Sequence, residues 1–63
     1  MNEAQNFLEA MDVAYDKSKL SMVSAFIKAG DFDEQSVARM FDRLGFRADS
    51  FDIKKATRIL KYV

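Results

Sequence analysis

Two glycines set the architecture. Gly30 and Gly45 each follow a run of apolar residues at helical spacing and precede residues suited to capping a new helix, Asp31 or Asp33 after the first and Asp49 or Ser50 after the second. A left-handed glycine after one helix and an oxygen-bearing cap before the next is how a helical chain stops and restarts. No stretch alternates apolar and polar residues between turn residues, and proline is absent, so strand signals are missing. The expected fold is all-α: a small three- to four-helix bundle forming a single helical domain over residues 1–63, its last two helices making a helix-turn-helix-like hairpin.

The first helix should begin after Asn2, which with Gln5 has capping-box spacing. Ala4, Phe7, Leu8, Met11, Ala14 and Tyr15 then fall in a stripe about 120° wide. Asp16 as a cap, with Tyr15 and Leu20 as a hydrophobic staple, predicts a break after Tyr15; without it, residues 3–29 would form one long helix. In "LSMVSAFIKA", Leu20, Met22, Val23, Ala25, Phe26, Ile27 and Ala29 cover roughly 220°, leaving Ser21, Ser24 and Lys28 as a narrow polar strip. So broad an apolar face predicts a central helix or, where the bundle fails to cover it, an exposed binding patch. The third helix carries Val37, Met40, Phe41 and Leu44, with Glu34 in its first turn. Gly45 should end it in a Schellman stop that folds Phe46 back on Phe41. The last helix turns Ile53, Ala56, Ile59, Leu60 and Val63 inward and Lys54, Lys55, Arg58 and Lys61 outward, with Phe51 and Tyr62 among the cations.

Composition narrows function. Sixty-three residues lie near the lower limit for a core that holds without help. There is no cysteine for a disulfide and no histidine for a zinc site or a neutral-pH proton shuttle. The core must come from six Phe, four Met and the aliphatic residues, with self-association or a partner covering what remains. No apolar run approaches the roughly 20 residues that span a bilayer, and "MNEAQNF" lacks the basic and then apolar opening of a signal peptide, so the chain reads as cytoplasmic with no membrane partner. Net charge is zero but uneven: residues 1–42 carry four basic and eight acidic side chains, residues 43–63 six and two. That polarity can hold the bundle together or draw a polyanion to the basic part.

An enzyme is not expected. Without His or Cys, a mechanism would need paired carboxylates or an activated lysine in a pocket that so short a chain has little volume to build, so no catalytic residue, cofactor or small-molecule substrate is assigned. Asp31 and Asp33 in "GDFDEQ" have the first spacing of an EF-hand loop. The pattern then fails, with Ser36 where glycine makes the sharp turn and Asp42 where a bidentate glutamate belongs; capping is the simpler role, and no metal site is assigned.

"DRLGFRADSFDIKK" resembles the helix-turn-helix of DNA-binding proteins when Gly45 is taken as the turn glycine. Met40, Leu44, Phe46 and Phe51 fall where that motif wants apolar residues, whereas Phe41 fills a place usually small and Lys54 one usually apolar. The resemblance implies a phosphate-binding face of Lys54, Lys55, Arg58, Lys61 and Arg47, which Arg39 and Arg43 could extend. "RMFDRLGF" is similar to the first helix and glycine loop of ubiquitin-associated domains, too short a stretch to carry over any residue's role.

The expected function is that of a small regulatory or adaptor protein, of the kind phages and plasmids encode as inhibitors, binding stoichiometrically to another protein or to itself as a homodimer. Its partner-binding residues are Met22, Phe26, Ser21 and Lys28. The alternative is a nucleic-acid-binding module using the basic hairpin.

Overall fold

A computed structural model of the chain describes residues 3–62, which form four helices: α1 (Glu3–Ala10), α2 (Lys17–Ala29), α3 (Glu34–Leu44) and α4 (Ser50–Lys61). The helices close a ring in which α1 packs on α2 and α4, and α3 packs on α4 and α2. The radius of gyration, 10.2 Å, matches the value of about 10.6 Å for a compact chain of this length, so the ring encloses one core. Phe7 of α1 and Phe41 of α3 stack at its centre, ring centroids 6.3 Å apart. Around them are buried Ala4, Leu8, Met11, Val13, Val23, Val37, Met40, Leu44, Ala56 and Leu60.

Three of the helices start on aspartate. Asp16 accepts from the Lys19 amide at 3.0 Å, and Asp33 from the Ser36 amide at 2.8 Å. Asp49 makes a full capping box with Asp52: its carboxylate accepts from the Asp52 amide at 2.8 Å, and the Asp52 carboxylate from the Asp49 amide at 3.3 Å. Each aspartate satisfies an amide that the helix leaves unpaired and lies near the positive end of the helix dipole. The Asn2 cap and the inward Val63 lie outside the described residues.

Gly45, at φ 75°, ends α3 as expected: its own amide donates to Asp42 O and the Phe46 amide to Phe41 O. This paired 5→2 and 6→1 bonding is the Schellman motif, and it brings the Phe46 ring to 5.1 Å from that of Phe41. Gly30, at φ 77°, ends α2 with a single bond from its amide to Phe26 O.

The first helix departs from expectation. It stops at Ala10 instead of Tyr15, through a second Schellman motif with Asp12 in the left-handed position, φ 58°. The Asp12 amide donates to Glu9 O and the Val13 amide to Leu8 O. The reason lies in Val13: on a continuing helix it would point about 140° away from Leu8, toward solvent, whereas the stop turns it into the core, where it is buried. Ala14 consequently leaves the buried stripe and is exposed, and Tyr15 is half-buried. Residues 3–29 are therefore two helices. The Tyr15 hydroxyl ties the connection back to α1, donating to Glu9 Oε2 at 2.8 Å, and Tyr15 and Leu20 each pack against the core.

The second departure is α2, which is not central. It buries only Val23 completely; Leu20, Met22, Phe26 and Ile27 are half-buried, and Ala25 and Ala29 are exposed. The broad apolar arc included these two alanines, which have little surface to hide. The five larger side chains, Leu20, Met22, Val23, Phe26 and Ile27, span about 160°, and Val23 lies within that span.

Thr57, absent from the expected buried face of α4, is buried there. Its hydroxyl donates to Ile53 O at 2.8 Å, which removes the cost of burying it.

Candidate binding groove between α2 and α3

Because α2 and α3 are joined by the short connection 30–33, they lie as neighbours. Between them is a groove of about 530 Å³ lined by Ser21, Met22, Ala25 and Phe26 of α2, Asp31 of the connection, and Ser36, Arg39, Met40 and Arg43 of α3. Its base is apolar. Met40 is part of the core, and Met22 and Phe26 are half-buried beside it. Phe26 is braced from the connection by Phe32, ring centroids 6.0 Å apart.

The polar groups of the groove sit at its edge. Arg39 and Arg43, one turn apart, are exposed, and neither guanidinium has a hydrogen-bond or ion-pair partner among the described residues. Ser36 is engaged with the cap of α3, its hydroxyl donating to Asp33 Oδ2 at 3.3 Å. The Asp33 carboxyl is held below its ordinary range chiefly by the bond from the Ser36 amide, with a small contribution from the charge of Arg39. Ser36 and Asp33 together thus form the cap that starts α3. Among the described residues, no cluster of acidic side chains could hold a metal ion, and the Asp31–Asp33 stretch builds the start of α3.

Three of the four partner-binding residues expected from sequence, Ser21, Met22 and Phe26, come together in the groove. Lys28 does not: it is exposed and lies outside the lining of the groove. Arg39 and Arg43 belong to the groove instead of simply extending the charge of α4. Their signal was available in "ARMFDR", where two arginines one turn apart flank Met40; what was missing was which neighbour that flank would meet.

Lys54, Lys55, Arg58 and Lys61 lie exposed on the outer side of α4, in an arc about 120° wide, with Arg47 exposed in the preceding connection. Phe51 and Tyr62 share that side and are 73% and 86% exposed. Phe51 thus does not fill the inward place the helix-turn-helix pattern gives it, and the large Phe41 occupies the core where that pattern calls for a small residue. Among the described residues no helix is long and apolar enough to cross a membrane. Comparison with known proteins finds no matching family model, curated protein or solved structure.

Proposed function

We propose that this chain is a non-enzymatic binding protein, a regulator or adaptor that receives a segment of another protein stoichiometrically in the α2–α3 groove. One observation carries the reading: Met22 and Phe26, large apolar side chains on adjacent turns, are left half-buried beside Met40 in a groove the bundle does not fill. Covering that surface would contribute about 25 cal/mol for each Å² removed from water, a useful addition for a domain with so small a core. Methionine suits such a surface because its flexible thioether chain adapts to the shape laid on it.

A second reading has an observation of its own, the exposed Phe51 and Tyr62 among four cations on α4. Aromatic rings beside phosphate-binding cations are what a single-stranded nucleic acid uses. The two readings separate when the tagged chain is purified from its host with and without nuclease, beside an Ala25→Trp variant. Ala25 is exposed in the groove, so the substitution plugs the groove without opening the core. Retained protein that survives nuclease and is lost with Ala25→Trp supports groove binding. Retention that nuclease abolishes and Ala25→Trp leaves untouched assigns the function to α4.

A further inference from the structure

The two walls of the groove differ in kind. On α2, Met22 and Phe26 stand one turn apart; on α3, Arg39 and Arg43 stand one turn apart on either side of Met40. At 1.5 Å per residue both pairs have a spacing of about 6 Å, so the groove offers an apolar ladder and a cationic ladder of the same pitch. We infer that its occupant is an acidic amphipathic helix of another protein. One edge of that helix lays apolar side chains on Met22 and Phe26, and the adjoining edge brings carboxylates, also one turn apart, to Arg39 and Arg43. The inference rests on the groove-binding reading and adds the chemistry of the partner.

Charge complementarity selects that chemistry. Both guanidiniums are exposed and make no hydrogen bond or ion pair among the described residues, the charge of Arg39 reaching Asp33 only as a small contribution, and a guanidinium matches a carboxylate with two parallel hydrogen bonds. Form follows from pitch: side chains recurring every turn on two adjoining edges are what an α-helix presents. Docking of an extended segment by addition to a sheet edge has no strand to use among the described residues.

Asp31, also in the wall, gives the groove a polarity. It stands at the end where α2 passes into α3, so carboxylates on the occupant belong toward Arg39 and Arg43 and away from that end. The same aspartate and the apolar base disfavour a phosphate backbone, which needs cations along its whole path. A second copy of this chain does not supply the occupant either. Its acidic helix, α1, already turns Phe7 and Leu8 into its own core.

The test is selection of displayed helical peptides of about 14 residues, four turns, on the full chain. Enriched peptides should carry Asp or Glu one turn apart beside an apolar pair of the same spacing. Their binding should weaken about tenfold for Arg39→Glu with Arg43→Glu, the scale of two rim charge pairs, and recover when the peptide carboxylates are changed to lysine. Arg39→Gln with Arg43→Gln, milder toward the helix, should weaken binding in the same direction, with helicity checked by circular dichroism. Enriched peptides that are neutral or basic, yet are lost on Ala25→Trp, would overturn the acidic partner and leave groove binding standing. Acidic peptides indifferent to Ala25→Trp would overturn both, as would a selection that enriches nothing.

Discussion

Helices α2 and α3 face each other across the groove, and each carries large apolar residues on successive turns. They use them differently. Helix α3 buries Val37, Met40, Phe41 and Leu44, whereas α2 completely buries Val23 alone and leaves Leu20, Met22, Phe26 and Ile27 partly in water. The difference lies in the width of the apolar face. In α3 the large residues keep to a narrow stripe that α4, the Phe7 ring of α1 and the returning Phe46 can cover; in α2 they spread over about 160°, more than its neighbours in a four-helix ring enclose. Surface that cannot be closed internally is available for association, and it lies beside the unpaired arginines of the other helix.

The same substitution on both helices tests the contrast most severely. Phe41→Ala empties the centre of the core, where the ring is 1% exposed, and should cost about 3–5 kcal/mol. That is comparable to the whole stability of about 3–9 kcal/mol for a chain of 63 residues. Circular dichroism should find the variant largely unfolded; a melting temperature close to the parent's would mean that α3 is not the core helix. Phe26→Ala should cost only about 1–2 kcal/mol, because part of its ring already faces water. It should remain folded while losing its partner, and equal losses at the two positions would erase the distinction.

The helix ends should show no such contrast. Gly30 and Gly45 both have positive φ, and a Cβ at either would meet nothing within 4 Å. Alanine at each should therefore cost about 1 kcal/mol of backbone strain, lowering the melting temperature by about 4–8 °C. A much larger loss at Gly45 would show that the Schellman stop and its Phe46–Phe41 contact contribute beyond the backbone. The stop of α1 should respond oppositely: Asp12 holds φ 58° with a side chain, so Asp12→Gly should stabilise by about 0.5 kcal/mol.

The smallest expected effect is on the pH profile, where the cap of α3 and the strap between α1 and α2 can be told apart. The Asp33 carboxyl is lowered mainly by the Ser36 amide, and that of Glu9 mainly by the Tyr15 hydroxyl and then Gln5. Their contributions are present above the ordinary carboxylate range and are lost as pH falls through the lowered values. Tyr15 is raised, chiefly by its bond to Glu9, so its contribution is present below the ordinary tyrosine range and is lost as pH rises through the raised value. Thermal melts across pH should find Tyr15→Phe less sensitive at the alkaline end and slightly less at the acid end, with the Asp33 part of the acid loss remaining. A Tyr15→Phe profile identical to the parent's would remove the strap.

What could be read in the chain was what is local. The stop at Gly45 and the return of Phe46 depend on residues within a turn or two of one another, and so do the caps, which were legible as Asp16, as Asp31 or Asp33 and as Asp49 or Ser50, with the structure using Asp16, Asp33 and Asp49. The buried stripe of α3 was legible too, because its charged residues leave only one face to hide. The stop at Asp12 was harder to read: a left-handed aspartate is uncommon, and nothing beside it announced that Val13 would prefer the core to a further helical turn.

By itself the sequence determined that the chain is helical, where α2 and α3 end and, to within two residues, where α3 and α4 begin, since those features follow from periodicity and from hydrogen bonds between near neighbours; that residues 3–29 break into two helices was settled by the structure. Tertiary structure decided which apolar residues would be covered. It left part of the apolar face of α2 uncovered, set Arg39 and Arg43 in one groove with Met22 and Phe26, and left Lys28 exposed outside it, because burial depends on where and at what angle a helix's neighbours meet it, quantities that no single helix encodes.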